Sequence, residues 1–350
     1  MSRSSWVALV AVMLLDLAPA CWPQCTVTET TVLGEPALVM ENQWLRARVR
    51  PTMGGRIDEL IYKPTNTHLT ARTDGALFVD RVWNYANSDF YQQWTRAIYS
   101  AEVDRSPQRV AITLTGPGSV GTGRAMSFTK TFTISADSAA LRADYRFNVG
   151  QELMVPQRIG LWWHNFLGVP QERCSYFVPT TDGIKSVVFP GGGEYWWTRP
   201  ARGWMAMVGE GSTGAAAVME FPPLMLLYNY MRGEVGSAEW AFRSREIPNG
   251  GSMETTAWLL PFSGLSSVAG AGQRFVAMVA GPAKADAPGE MSLTVRMTAP
   301  VAWTATVRPS LRRMPDGQPT ELPQLTVALQ PGQVAENAVT VNLPAAGTWL

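Results

Sequence analysis

The sequence predicts an all-β chain, and three observations carry that expectation. Short runs rich in Val, Ile, Thr and aromatic residues recur from Thr26 to about Phe262. Gly, Pro, Asn and Asp interrupt them at short intervals, as turns between strands require. No stretch sustains a helical apolar period over three turns.

The first 20 residues read as a secretory signal: Arg3, an apolar run from Trp6 to Leu15, and Ala18-Pro19-Ala20 in the A-x-A form expected at a cleavage site. The run is too short to span a bilayer, which predicts a secreted or periplasmic protein rather than a helical anchor. Cys21 follows directly, but Ala18-Pro19 is a poor match for the Leu-Ala/Ser that precedes a lipidated cysteine, so free export is favoured over a lipid anchor. Cys25 and Cys174 remain, and in an oxidising compartment they could form one disulfide. Three cysteines and two histidines, widely scattered, do not make a zinc site, and no metal or other cofactor is expected.

Among the predicted strands, Leu45–Val49, Arg109–Thr115, Ser127–Ile134 and Leu141–Asn148 alternate apolar with polar residues, so each should bury one face. Gly54-Gly55 and Gly250-Gly251 mark turns that need positive φ. Gly116 to Gly123 is a longer Gly-rich turn. It lacks the Lys-Ser/Thr of a phosphate loop and reads as a hairpin tip.

Between Ala280 and Gly289 the composition shifts to Gly, Pro, Ala and Asp, the pattern of a linker or a domain edge. Beyond it, Met291–Met297, Ala302–Val307, Gln324–Leu329 and Ala335–Leu343 predict a small immunoglobulin-like sandwich. The expected organisation is a signal peptide at 1–20, a large β domain at 26–282 and a small β-sandwich module at 290–350. Ala345 to Leu350 reads as a strand barely begun, so the second module is expected to be incomplete.

With 29 basic against 28 acidic residues and no Lys/Arg stripe, nucleic acid is excluded as a partner. The charged fraction is only 16%, while the chain holds 14 Trp, more than ordinary usage. Flat rings stack on the C–H faces of sugars, although Trp is equally at home in a β-sandwich core.

Two polar residues set in apolar strand-like runs are the first site candidates, because an unpaired buried imidazole or carboxylate is costly. His164 lies in Gly160–Leu167, sharing a strand face with Trp162 and Phe166 while Asn165 and Trp163 point the other way. Glu220 lies in Ala215–Pro222 with no other charge nearby. Desolvation there would suit it to act as a general base. His68, between Asn66 and Leu69, reads as a solvated turn residue.

Several segments resemble the galactose mutarotase-like group, the aldose 1-epimerases and their relatives. Glu41–Ile57 is similar to that group's opening strand, glycine turn and second strand, and Phe128–Asn148 to its paired strands ending in Asn. Trp163-His164-Asn165-Phe166 resembles the segment carrying the catalytic acid, and Val218-Met-Glu220-Phe-Pro-Pro223 the strand carrying the base. Arg245–Trp258 looks like the closing loop and strand. The resemblance covers roughly residues 26–282. The group's Asn-Arg pair and earlier histidine are not recognisable around Asp80–Asn87, and Pro222-Pro223 replaces its Pro-Asp.

The resemblance implies a galactose mutarotase-like β supersandwich, followed here by the small immunoglobulin-like segment. It implies a carbohydrate ligand and cofactor-free isomerisation, with Glu220 as base and His164 as acid converging on one sugar within about 5–8 Å. Trp162, Phe166, Trp196, Trp197 and Arg81 are the substrate-binding candidates. Two alternatives stand beside this one. One is a non-catalytic carbohydrate-binding or structural module whose cleft is formed by Trp162, Trp163, Trp196, Trp197 and Trp204. The other is a polysaccharide lyase assembled from His164, Asn165 and one of Tyr176, Tyr195 or Arg199.

Overall fold

The computed structural model describes residues 24–70, 75–84, 87–91, 93–116, 126–151, 157–168, 174–189, 192–222, 224–232, 235–282, 284–308, 310–312, 317–318 and 320–348. The signal-like segment, Cys21 and most of the expected Gly-rich hairpin tip lie outside them. Among the described residues the fold is almost wholly β, with helical turns no longer than the four residues Gln93–Arg96.

The alternating segments form strands with one buried face. Met126–Ser135 alternates buried and half-buried residues along its whole length. That alternation places Lys130 in phase with Phe128, Phe132 and Ile134, so a lysine sits on the core face. The expected Gly54-Gly55 turn also holds, with φ of 74° and 57°. A Cβ on Gly54 would come within 2.1 Å of the Thr95 carbonyl oxygen, so only glycine lets this turn approach the segment carrying Thr95.

Three antiparallel sheets make the larger part. A nine-stranded sheet runs Gly183–Phe189, Cys174–Thr180, Trp204–Val208, Thr213–Val218, Ser252–Ser263, Leu141–Val149, Met126–Ser135, Arg109–Thr115, Ser100–Ser106. An eight-stranded sheet has the central path Gly193–Trp197, Leu224–Arg232, Ala238–Phe242, Gln157–Asn165, Arg81–Asn84, Asn87–Tyr91. A five-stranded sheet is built in chain order from Thr26–Val32 to Thr67–His68.

One continuous core joins side chains of all three sheets, among them Val49, Phe128, Phe132, Tyr145, Leu161, Trp163, Met207 and Trp240. Phe78 links two of them, its ring 4.9 Å from Phe132 and 5.7 Å from Trp163. The opposite face of the nine-stranded sheet, with Trp204, Val218 and Phe262, packs on Val276 and Met278.

The Ala280–Gly289 segment differs from its reading as a linker. It connects Phe275–Ala280 to Gly289–Thr298, which are paired neighbours in one four-stranded sheet with Gly270–Gly272 and Ala335–Leu343. Its Gly and Pro serve a turn between strands, a use that composition alone does not separate from an inter-domain boundary. The paired strands Trp303–Val307 and Leu325–Leu329 share an apolar cluster with this sheet. Cys25 and Cys174 are both buried and are not joined to each other, so the disulfide is not formed.

Lys130 is fully buried and donates to Asp80 Oδ2 at 2.9 Å and to the carbonyls of Phe78 (3.0 Å) and Gly54 (3.1 Å). Tyr145 donates to the other Asp80 oxygen at 3.0 Å. Burial pushes the Asp80 carboxyl up and the Lys130 amine down, against the attraction each has for the other. Lys130→Met should therefore cost about 3–5 kcal/mol, because it strands a buried carboxylate. The double variant Lys130→Met/Asp80→Leu should recover much of the loss. Urea denaturation of both checks this, and a single variant as stable as the parent would refute it.

Candidate functional site

The candidate site begins with strand register. Across four adjacent strands of the eight-stranded sheet, Trp196 pairs with Tyr228, Tyr228 with Glu239 and Glu239 with His164. The neighbouring row is Trp197, Leu227, Trp240 and Trp163. Alternation sends these two rows to opposite faces. The second row faces the core, where Trp163 and Trp240 are fully buried with ring centroids 4.3 Å apart. The first row faces outward and carries the polar chemistry.

His164 Nε2 lies 3.0 Å from Glu239 Oε1, with both side chains about 6% exposed. The Trp162 indole donates to Glu239 Oε2 at 2.7 Å, and the Ser237 hydroxyl donates to Oε1 at 2.5 Å. Burial alone would raise the Glu239 carboxyl, but the hydrogen bonds from His164, Ser237 and Trp162 outweigh it and hold the group below the ordinary carboxylate value. Glu239 is thus an ionised, fully solvated-by-protein partner for the imidazole. His164 Nδ1 is buried and has no hydrogen-bond partner.

His164 forms part of the wall of a cleft of about 910 Å³. The five-stranded sheet contributes Arg48, Arg50, Asp58, Glu59 and His68 to the lining, and Ala76, Val79 and Arg81 complete it beside the histidine strand. Backbone hydrogen bonds fix this last part to the histidine strand: Val79 N donates to His164 O, and Phe166 N to Ala76 O. Phe166 also lines the cleft, its ring 4.4 Å from the imidazole.

The expected convergence of His164 with Glu220 does not occur. Glu220 follows a strand of the nine-stranded sheet, is one-third exposed, and pairs with Arg202 at 3.1 Å and the Gly203 amide at 3.2 Å. Gly203 is held in turn by the indole of Trp240, a residue of the core-facing row, so Glu220 lies on the other side of the eight-stranded sheet from His164. Its run is apolar because the preceding strand is buried, and the charge marks the point where the chain emerges beside Arg202. The partner that the sequence reading missed is Glu239, also the lone charge in an apolar run, Ala238–Phe242.

Of the remaining candidates, Arg81 and Phe166 line the cleft, and Arg81 sits opposite Trp162 in the sheet. Trp162 supports Glu239 from beside the cleft. Trp196 is 53% exposed and packs on Tyr228, with ring centroids 4.5 Å apart, extending the outward row. Burial, with Glu194 and Glu239 nearby, pushes the Tyr228 hydroxyl up to about 12. Trp197 belongs to the opposite face, where its indole donates to Asn229 at 2.9 Å and its ring stacks on Tyr195. Trp163 and Trp204 are buried, so the five tryptophans do not form one cleft.

The lyase set is not assembled either. Asn165 faces the core and accepts from Phe78 N, and the Tyr176 hydroxyl donates to Leu167 O. Tyr195 lies with Trp197, and Arg199 is exposed away from the cleft lining. His68 is exposed as expected, yet it stands on the edge strand Thr67–His68 and lines the cleft. Both histidines of the chain therefore face the same cavity. Among the described residues, no group of three or more His, Cys, Asp or Glu could hold a metal ion, and no helix is long and apolar enough to cross a membrane.

No protein-family model matches the chain, and no curated protein matches it. Among solved structures, the fold is similar to a provisionally assigned aldose 1-epimerase from Klebsiella pneumoniae subsp. pneumoniae, at 12% identity and a TM-score of 0.49, over 68% of this chain and 84% of that one. It is also similar to a galactose mutarotase-like protein from Clostridium acetobutylicum (8% identity, TM-score 0.49, 69% and 99% of the two chains). A third is a galactose mutarotase-like protein from Lactobacillus casei (9%, 0.47, 64% and 99%). These structures carry the name of the group that the sequence resembles. At such identities the likeness is one of overall architecture, and no residue's role passes from them to this chain.

A carboxyl held below its unfolded value stabilises the fold above that value, about 4.3 for a glutamate, and loses the contribution as pH falls through the folded value. Glu239→Gln should therefore lower Tm most at neutral pH, with the gap to the parent closing on acidification below about pH 4. Thermal melts across that range check this; a gap that widens toward acid would contradict it.

Proposed function

We propose that the cleft binds a carbohydrate and that the protein interconverts its anomers, with His164 as the inner acid–base group. The observation that carries this reading is the His164–Glu239 pair: a buried imidazole anchored through Nε2 to a carboxylate, with Nδ1 unpartnered, on the wall of a cleft. A buried polar atom without a partner costs about 1–3 kcal/mol. A ligand hydroxyl or ring oxygen that reaches it relieves that cost.

Opening a pyranose needs two proton transfers. A base takes the proton of the anomeric hydroxyl, the O1–H electron pair becomes the π bond of the C1=O1 carbonyl, the C1–O5 bond breaks with its electrons on O5, and an acid delivers a proton to O5. Rotation about C1–C2 and the reverse steps give the other anomer. The reaction is redox-neutral and needs no cofactor. His164 is the residue proposed to handle one of these protons, and His68, which lines the same cleft, the other. Glu239 orients the His164 ring, as carboxylate partners of catalytic histidines do. The signal-like first 20 residues support an exported form of this activity.

Polarimetry or NMR exchange on a panel of single-anomer aldoses tests the proposal. His164→Asn should slow anomerisation by about 10²–10⁴-fold, the usual contribution of a general acid or base, while Glu220→Gln leaves the rate near that of the parent. Binding of a sugar by the parent protein without any acceleration would leave a binding module in place of an isomerase.

A further inference from the structure

The outward face of the eight-stranded sheet continues beyond the His164–Glu239 pair as a patch of aromatic rings. Trp162, Tyr228 and Trp196 stand on it, with ring centroids 6.2 Å apart for Trp162 and Tyr228, 6.3 Å for Trp162 and Trp196, and 4.5 Å for Trp196 and Tyr228. Trp162 and Tyr228 pack with Leu226 and Ala241 in an apolar cluster separate from the main core. Trp196 stands on Gly193–Trp197, the strand that ends the central path of the sheet, and is 53% exposed. A large ring left half in water on a face otherwise well packed is a contact surface for something that covers it.

One carboxylate ties this patch to the histidine. Glu239 takes the Trp162 indole N–H on Oε2 and His164 on Oε1, so the rings begin one side chain away from the imidazole. In the register row Trp196, Tyr228, Glu239, His164, three strand spacings separate the first residue from the last. That is about 14 Å, more than one pyranose spans. The patch also has a polar rim. The Tyr228 hydroxyl is hydrogen-bonded with Glu194, which is exposed and pairs with Tyr230 across the strands. Apolar ring faces with hydroxyl and carboxylate groups at their edges complement a pyranose, which presents C–H groups on its faces and hydroxyls around its rim.

We infer that the Trp162–Tyr228–Trp196 cluster is a second sugar subsite, so that the ligand is an oligosaccharide whose terminal ring lies at His164 and whose next ring stacks on Trp196. The inference rests on the carbohydrate reading above and specifies its substrate class. Direction follows from the chemistry, because anomerisation requires a free C1 hydroxyl and only the reducing-end residue of a glycan has one. The reducing end therefore occupies the cleft, and the chain extends over the rings toward the strand Gly193–Trp197.

Calorimetric titration of the full chain with sugars of increasing length tests it: glucose against cellobiose, cellotriose, maltose and maltotriose, xylose against xylobiose, galactose against galactobiose, and mannose against mannobiose. In at least one series the disaccharide should bind about tenfold or more tightly than its monosaccharide. In that series Trp196→Ala should bring the longer sugar down to the affinity of the monosaccharide, and Trp196→Tyr should restore part of the gain, since a flat ring again offers a stacking face. Because Trp196 is more than half exposed, an unchanged melting temperature serves as the folding control, and Glu194→Gln, expected to reduce the gain severalfold, is a second variant. Borohydride reduction of the terminal residue removes its ring and should abolish most of the affinity of the disaccharide. Reduced sugars binding as tightly as the parent sugars would overturn the placement of the reducing end at His164. Monosaccharides binding as tightly as longer sugars in every series, or a gain with length that survives Trp196→Ala, would overturn the subsite and leave the carbohydrate reading intact. No sugar bound would overturn both, and self-association of the parent that Trp196→Ala abolishes would then assign the patch to a protein contact.

Discussion

The buried Lys130–Asp80 pair is the constraint on which the rest of this structure depends. Lys130 projects from the nine-stranded sheet, and its three donors reach Asp80 and the carbonyls of Gly54 and Phe78. It thereby joins the sheet to the glycine turn of the five-stranded sheet and to a segment that lines the cleft. Phe78 has a φ of 61°, an uncommon conformation for a bulky residue, and the bonds from Lys130 to its carbonyl and from its amide to Asn165 hold it there. The next residue, Val79, donates its backbone N–H to the carbonyl of His164. The position of the histidine is thus traceable to a lysine in the core. Such a pair gives little net stability compared with apolar packing, since desolvation consumes most of its attraction. What it supplies here is position.

The site itself is a consequence of register. Trp196, Tyr228, Glu239 and His164 stand in one row across four strands, and the row beside it is pure core. A one-residue slip of the strand Ala238–Phe242 against its neighbours would send Glu239 into the interior and Trp240 into solvent. Such a slip is heavily disfavoured, because Trp163 and Trp240 are among the largest fully buried side chains of the chain. The outward row inherits its precision from the inward one, and the hydrogen bonds of Glu239 to Trp162 and Ser237 then lock the imidazole partner in place.

Much of this was legible in the chain. Strand positions, the opposite facing of His164 and Asn165, and the positive-φ glycine turn all follow from local alternation and from backbone sterics. Lys130 was not singled out, although strand alternation puts it in phase with Phe128, Phe132 and Ile134. The choice between Glu220 and Glu239 was not legible. Each is the single charge of an apolar run, and the sequence holds no information on whether the next residues turn toward Arg202 and water or continue across a sheet to meet His164.

The sequence by itself determined the all-β class, the buried face of each strand and the unusual character of His164, because these depend on side-chain periodicity and on the cost of burying polar groups. Only the tertiary structure decided that His164 meets Glu239 and that His68 shares its cavity. Those outcomes depend on which strands pair and in what register. That is settled by the packing of the whole core, to which residues more than a hundred positions apart contribute, and no local pattern records it.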